Sequence, residues 1–213
     1  MGRPSRIKIP ELTYHITSRT NNRHLFFKKK KDQRTLCKIL NSCLLKHNVT
    51  LYAFTPMMTH FHMLIKFSNE TDLSRFMAEF KGNYAKYFNR RYQMSGHFWG
   101  DRYRSTIVQD DRHALACLRY IDRNPVKAGL VEHPSQWELN SFGSYAFGQI
   151  HPLLPLTPHP SYLGLAGSRL KRRNLYLAFV IGGDPLSDEL YGRLHRMQIF
   201  GSEKFIALVK QAA

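Results

Sequence analysis

Apolar positions along this chain switch between two periods, and the switching predicts the order of its elements. Tyr14-His15-Ile16-Thr17-Ser18 reads as a strand, followed by a polar turn from Thr20 to His24. Leu36, Ile39, Leu40, Cys43 and Leu44 fall on one stripe at helical spacing and predict a helix over 32–47. Val49 to Phe54 forms a second strand. It leads through Thr55-Pro56-Met57-Met58 into His60-Phe61-His62-Met63-Leu64-Ile65-Lys66-Phe67, where Phe61, Met63, Ile65 and Phe67 alternate with their neighbours. Alternation of period two marks a strand with one buried face.

Helical spacing returns with Leu73, Phe76, Met77, Phe80, Tyr84, Tyr87 and Phe88, a long amphipathic helix capped by Thr71 or Asp72. Tyr103 to Val108 is a further strand. The next helix is capped by Asp110 or Asp111 and turns Leu115, Leu118 and Ile121 inward. Pro125 should end it, because the residue before proline is pushed out of the helical region. The order β-α-β-β-α-β-α predicts an α+β fold, a ferredoxin-like antiparallel sheet flanked by helices. From Pro134 to Pro160 five prolines punctuate a weaker pattern, which reads as an irregular linker. Residues 169–182, 185–197 and 202–211 then read as helices. We therefore expect a domain over 1–150 and a small C-terminal helical appendage over 151–213. The appendage should dock on the core, since Leu175, Phe179, Phe205 and Leu208 need burial.

Charge narrows the partner. The 213 residues carry a formal net charge of +17 and a pI near 10.0, which implies attraction to a polyanion. Residues 1–110 hold twenty Lys and Arg against seven Asp and Glu, so the first half should build most of that surface. No apolar run approaches the roughly 20 residues of a spanning helix, and Met1 to Pro10 has no hydrophobic signal core. Cys37, Cys43 and Cys117 show no metal or disulfide spacing and fit a reducing cytoplasm. Cys43, on an apolar stripe, reads as core.

His60 and His62 point to the same side of their strand. Such a pair is either structural or shares one metal ion. A third ligand such as an asparagine carbonyl would suit Mg²⁺ or Mn²⁺ and leave positions open for phosphate oxygens. Tyr120 and Asn124, at i and i+4, lie one above the other on a helix. A free phenol is a poor nucleophile with a pKa near 10, but beside a cation it can be positioned for attack. His15 can share the face of the histidine pair and is a candidate DNA contact there, and the alternative is a solvated strand histidine. Arg19, Arg23, Arg102 and Arg104 are candidate DNA contacts, suited to phosphate forks and base stacking. Lys28-Lys29-Lys30-Lys31 fits a nonspecific phosphate contact. Trp99 could stack on a base or sit in the core, and His113 reads as a surface residue.

Several segments together resemble one family. His60-Phe61-His62 resembles the HUH motif, two histidines around a hydrophobic residue. Tyr120-Ile121-Asp122-Arg123-Asn124-Pro125-Val126-Lys127-Ala128-Gly129-Leu130 is similar to a segment of the REP-associated tyrosine transposases, relatives of single-tyrosine HUH transposases. Tyr14 to Arg19, Phe98 to Ser105 and Trp137 to Ser144 look like the same family, so the resemblance spans about 10–145. Met57-Met58-Thr59 stands where the family commonly has Met-Pro-Asn, and Asn140-Ser141 also departs from its usual form.

The resemblance implies that His60 and His62 bind Mg²⁺ or Mn²⁺ with Asn124 as third ligand. Tyr120 would attack single-stranded DNA, leaving a 5′-phosphotyrosine and a 3′-OH that allow rejoining. Substrates would be hairpin-forming, palindrome-like sequences. The protein would be cytoplasmic and nucleoid-associated, with no membrane partner, acting as a monomer or a homodimer. The alternatives are a non-catalytic hairpin-binding protein and a relaxase or replication-initiator nickase.

Overall fold

The computed structural model describes residues 6–110, 112–182, 194 and 197–212. Strand β1 (Thr13–Arg19) is followed by a 3-10 turn at Asn21–Arg23 and helix α1 (Lys30–His47). Strands β2 (Val49–Pro56) and β3 (His60–Phe67) form a hairpin, and helix α2 (Leu73–Tyr92) leads to β4 (Arg104–Val108). Helix α3 (Arg112–Lys127) precedes short helices α4 (Phe142–Ala146) and α5 (Pro160–Leu163). Helix α6 (Arg169–Ile181), strand β5 (Ile199–Phe200) and helix α7 (Glu203–Gln211) complete the described elements. The sheet order is β2-β3-β1-β4-β5. The first four strands are antiparallel neighbours, as in a ferredoxin-like fold, and β5 adds in parallel to β4. Among the described residues no helix is long and apolar enough to cross a membrane.

Both faces of the sheet are covered. Tyr14, Ile16, Phe61, Met63 and Ile65 pack under α1 and α2, with Leu36, Leu40, Phe76, Phe80 and Tyr84. On the other face Tyr52, Ala53, Leu64 and Val108 meet α3 through Cys117, Leu118 and Ile121, and behind α3 lie Phe142, Tyr145, Tyr176 and Val180. The register shifts between Leu51 and Ala53. An extra residue in one strand reverses the side-chain alternation beyond it. That shift puts Leu51 and Phe54 in one layer and Tyr52 and Ala53 in the other. Asp72 caps α2, its side chain accepting from the Ser74 amide at 2.8 Å.

Several expectations need correction. Pro125 lies inside α3, which continues to Lys127. The helix ends one turn later, where Gly129 takes a φ of +66°. There the Leu130 amide donates to the Pro125 carbonyl and the Gly129 amide to the Val126 carbonyl, each at 2.9 Å. This left-handed closure satisfies the last carbonyls and is available chiefly to glycine. The stretch from Pro134 to Pro160 is packed rather than a linker. The Trp137 indole donates to the Pro56 carbonyl, the Ser141 amide to the Phe54 carbonyl and the Tyr145 hydroxyl to the Tyr52 carbonyl. These bonds satisfy backbone groups that would otherwise be buried alone.

Past residue 150 the chain contributes a strand as well as helices. Leu154, Ile199 and Val209 join the α1–α2 side of the core, across the boundary drawn at 150 from composition. Of the residues expected to dock, Phe179 and Phe205 are half-buried against the core and Leu175 and Leu208 are exposed, while full burial falls to Tyr176, Val180 and Val209 instead. A helix expected over 185–197 falls mostly outside the described residues. His113 is buried, edge-on to Phe200 at 4.8 Å, because β5 covers the start of α3.

Candidate active site

His60 and His62 stand on the α3 side of β3, opposite Arg19 and Thr17 of β1. Their ring centroids are 4.8 Å apart. α3 crosses this face and sets the Tyr120 ring edge-on to His62 at 5.3 Å. The structure therefore joins the histidine pair and the tyrosine, which lie nearly sixty residues apart in sequence. Tyr120 is half-buried, and burial is the main cause holding its hydroxyl above the usual phenol pKa. Asn124 and Arg19 act in the opposite sense.

Both candidate metal ligands have one ring nitrogen engaged. His60 Nδ1 lies 3.0 Å from the Thr59 hydroxyl, and His62 Nδ1 lies 2.9 Å from His15 Nε2. Were a metal held here, Nε2 would be the ligating nitrogen of each ring, since a partner on the second nitrogen fixes tautomer and orientation. His60 is pushed down to about 4, chiefly by burial and then by the Arg19 charge. It is therefore neutral above that pH, as a metal ligand must be. Among the described residues no group of three His, Cys, Asp or Glu gathers to hold a metal. A donor set here would combine two imidazoles with an amide oxygen, which suits a divalent cation. Asn124 Nδ2 donates to the Tyr120 carbonyl at 2.9 Å, so its amide oxygen remains for such a role.

His15 shares this face but does not reach solvent. It is 2% exposed, stacked on His62 at 5.1 Å with 6° between the rings. As a DNA contact it is corrected to a residue that orients His62. Arg19, Arg102 and Arg104 are exposed and line a cleft of about 120 Å³ with His62, Thr17 and Asp101. Arg23 lies in the 3-10 turn, exposed and outside this cleft. Trp99 packs on the core and donates to the Lys81 carbonyl at 2.9 Å. In the lysine run, Lys30 opens α1 and Lys29 lies over the Tyr92 ring.

Sequence reasoning missed how α3 is held. Asp122, two residues from Tyr120, is fully buried. Its carboxylate accepts from the Ser141 hydroxyl at 2.5 Å and the Tyr176 hydroxyl at 2.7 Å. Burial pushes it up to about 7 against the pull of those two bonds. Arg119 and Arg123 face the end of α6, donating to the carbonyls of Phe179, Gly182 and Val180. Cationic donors at a helix C-terminus satisfy its last carbonyls. A carboxylate and two arginines inside an apolar helix pattern were the available signal.

The IS200-like transposase family model matches residues 8–124, more than half of the chain and inclusive of every candidate from His15 to Asn124. The chain belongs to the IS200-like transposase family. Among solved structures, it is similar to a REP-associated tyrosine transposase bound to a REP hairpin, with a TM-score of 0.59 and 20% identity. That match covers 73% of this chain and 89% of the other. It establishes a shared fold, that of a REP-associated tyrosine transposase. A Deinococcus radiodurans R1 structure described as a transposase matches at 20% identity and a TM-score of 0.41, covering 53% of this chain and 91% of that one. No curated protein matches.

Proposed function

We propose that this transposase-family protein binds hairpin-forming single-stranded DNA and cleaves and rejoins it through a phosphotyrosine on Tyr120. The observation that carries this reading is the meeting of His60, His62 and Tyr120 at one end of the sheet, with exposed arginines beside them. In this reading His60 and His62 hold Mg²⁺ or Mn²⁺, and the Asn124 amide oxygen is the third ligand. When bound, the cation supplies positive charge to the phosphoryl oxygens.

The chain's own residues do the rest. Arg19, Arg102 and Arg104 hold the strand's phosphates, and Arg23 adds a contact further out. The Tyr120 oxygen attacks the phosphorus. A bond forms from tyrosine to the 5′ phosphate, the bond to the 3′ oxygen breaks, and that oxygen leaves as a 3′-OH. Return attack by a 3′-OH rejoins the strand with no external energy source. Tyr120 faces the histidines of its own chain, which supports assembly of the site within one copy, as a monomer or in each half of a homodimer.

The test is cleavage of oligonucleotides carrying the palindromes that flank its gene, with Mn²⁺, Mg²⁺ or chelator, and with RNA alongside. Wild type should nick single-stranded DNA in metal and form a covalent adduct. Tyr120→Phe and the double change His60→Ala/His62→Ala should lose both. Adduct at wild-type yield in Tyr120→Phe would sink the assignment. Tight hairpin binding with no nicking in any metal would leave a binding protein.

A further inference from the structure

A basic cavity in the C-terminal layer plays no part in the chemistry at Tyr120. It measures about 500 Å³ and lies between the chain following α4 and the first turns of α6. Arg169, Arg172 and Arg173 line it, at i, i+3 and i+4 on one face of the helix. No acidic residue lines it, and none occurs in the sequence between Leu139 and Gly182.

Arg172 is fastened by donating to the carbonyls of Ala166 at 3.0 Å and Gly167 at 3.2 Å. Arg173 is half-buried yet makes no hydrogen bond or ion pair with any described residue. It is seated against Gly148, whose φ is +67°, and a Cβ there would lie 1.8 Å from Arg173 Nη2. Like charges at i and i+4 repel. Three guanidinium groups around one cavity, with no carboxylate among its lining residues, leave a positive field that an anion would offset.

The cavity lies toward the far end of the sheet from the tyrosine. Its wall residue Leu156 bridges to Leu51, which pairs with Ile65 of β3, whereas His60 stands at the start of that strand. Five residues of strand span roughly 16 Å, or about five nucleotides along one strand of a duplex. We propose that this cavity binds a backbone phosphate in the duplex stem of the DNA whose single-stranded part enters the tyrosine site. The proposal rests on the function given above and adds to it a contact that distinguishes a hairpin from a bare strand.

The experiment compares a hairpin bearing a single-stranded extension with the extension alone, over a salt series. It uses wild type, Arg169→Ala/Arg173→Ala and, as a control of equal charge loss, Lys204→Ala/Lys210→Ala on α7. The arginine variant, shown by thermal melting to be folded, should bind the hairpin about tenfold more weakly. Its slope of log affinity against log salt should shrink by about 1–2. Its affinity for the extension, and its adduct yield on the extension, should stay within about twofold of wild type, and the control should match wild type throughout. Wild-type hairpin affinity and slope in the arginine variant would overturn this proposal alone, as would equal weakening on both DNAs or the same loss in the control. Wild-type protein that binds neither DNA would overturn the reading of function, and this site with it.

Discussion

The residue scale shows why two histidines at i and i+2 are only half a site. His62 is oriented by His15, which pairs with Leu64 and reaches His62 diagonally across the sheet. Removing such a supporting partner typically costs 10–100-fold in metal affinity. With His60 and His62 holding the cation as proposed, His15→Ala should weaken Mn²⁺ binding by that order, a change that metal titration would detect. Asp122 makes a second prediction. In the folded protein it titrates at about 7 against an ordinary 3.8. Between those values the folded state keeps a proton that the unfolded chain has lost. Its contribution therefore favours folding at low pH and is lost as pH rises through the window, by at most about 1.4 kcal/mol per pH unit. Asp122→Asn removes the titrating group, so the stability of wild type relative to the variant should fall from pH 4.5 to pH 7.5. Equal slopes in thermal melts at several pH values would contradict this.

At the scale of elements, α3 carries the candidate tyrosine and ends in the closure at Gly129. It presents Tyr120 to β3 on one side, while Arg119, Asp122 and Arg123 tie it to α6 and to the segment around Ser141 on the other. The helix continues through Pro125 because its closure is postponed to Gly129. A Cβ at Gly129 would meet nothing within 4 Å, so Gly129→Ala tests conformation alone. The left-handed region costs an L residue roughly 1–2 kcal/mol, and the midpoint of thermal unfolding should drop by a few degrees. An unchanged midpoint would mean that the closure has relaxed. Arg119→Ala removes a side chain that is 1% exposed and, among the described residues, its bonds to the Phe179 and Gly182 carbonyls. We expect a loss of about 2–3 kcal/mol, read in a denaturant titration.

For the whole molecule, the question is what the chain beyond residue 150 does. β5 extends the sheet beside β4, and Leu154, Ile199 and Val209 fill the same core as α1 and α2. Tyr176 and Val180 fill the opposite layer behind α3. A chain truncated at residue 150 should lose its cooperative thermal transition, since it would expose both layers and remove a partner of Asp122. A truncated form that melts cooperatively near the full-length midpoint would show that residues 1–150 fold alone. The net charge of +17 belongs to this scale too, with the cleft arginines at one end and the α6 arginines toward the other.

Sequence alone determined most of the elements, because burial leaves a period of two or 3.6 wherever one face is covered. It also carried the histidine pair, the tyrosine and the asparagine, which are legible as residue types at short spacing. Only tertiary structure decided what meets across long separations. The pairing of β1 with β3 brings His15 to His62, the crossing of α3 brings Tyr120 to both, and β5 covers His113. The packed segment after Pro134 was illegible for the same reason. The Ser141 amide and the Tyr145 and Asn140 side chains donate to the distant carbonyls of Phe54, Tyr52 and Asp122, and long-range hydrogen bonds leave no period in the sequence.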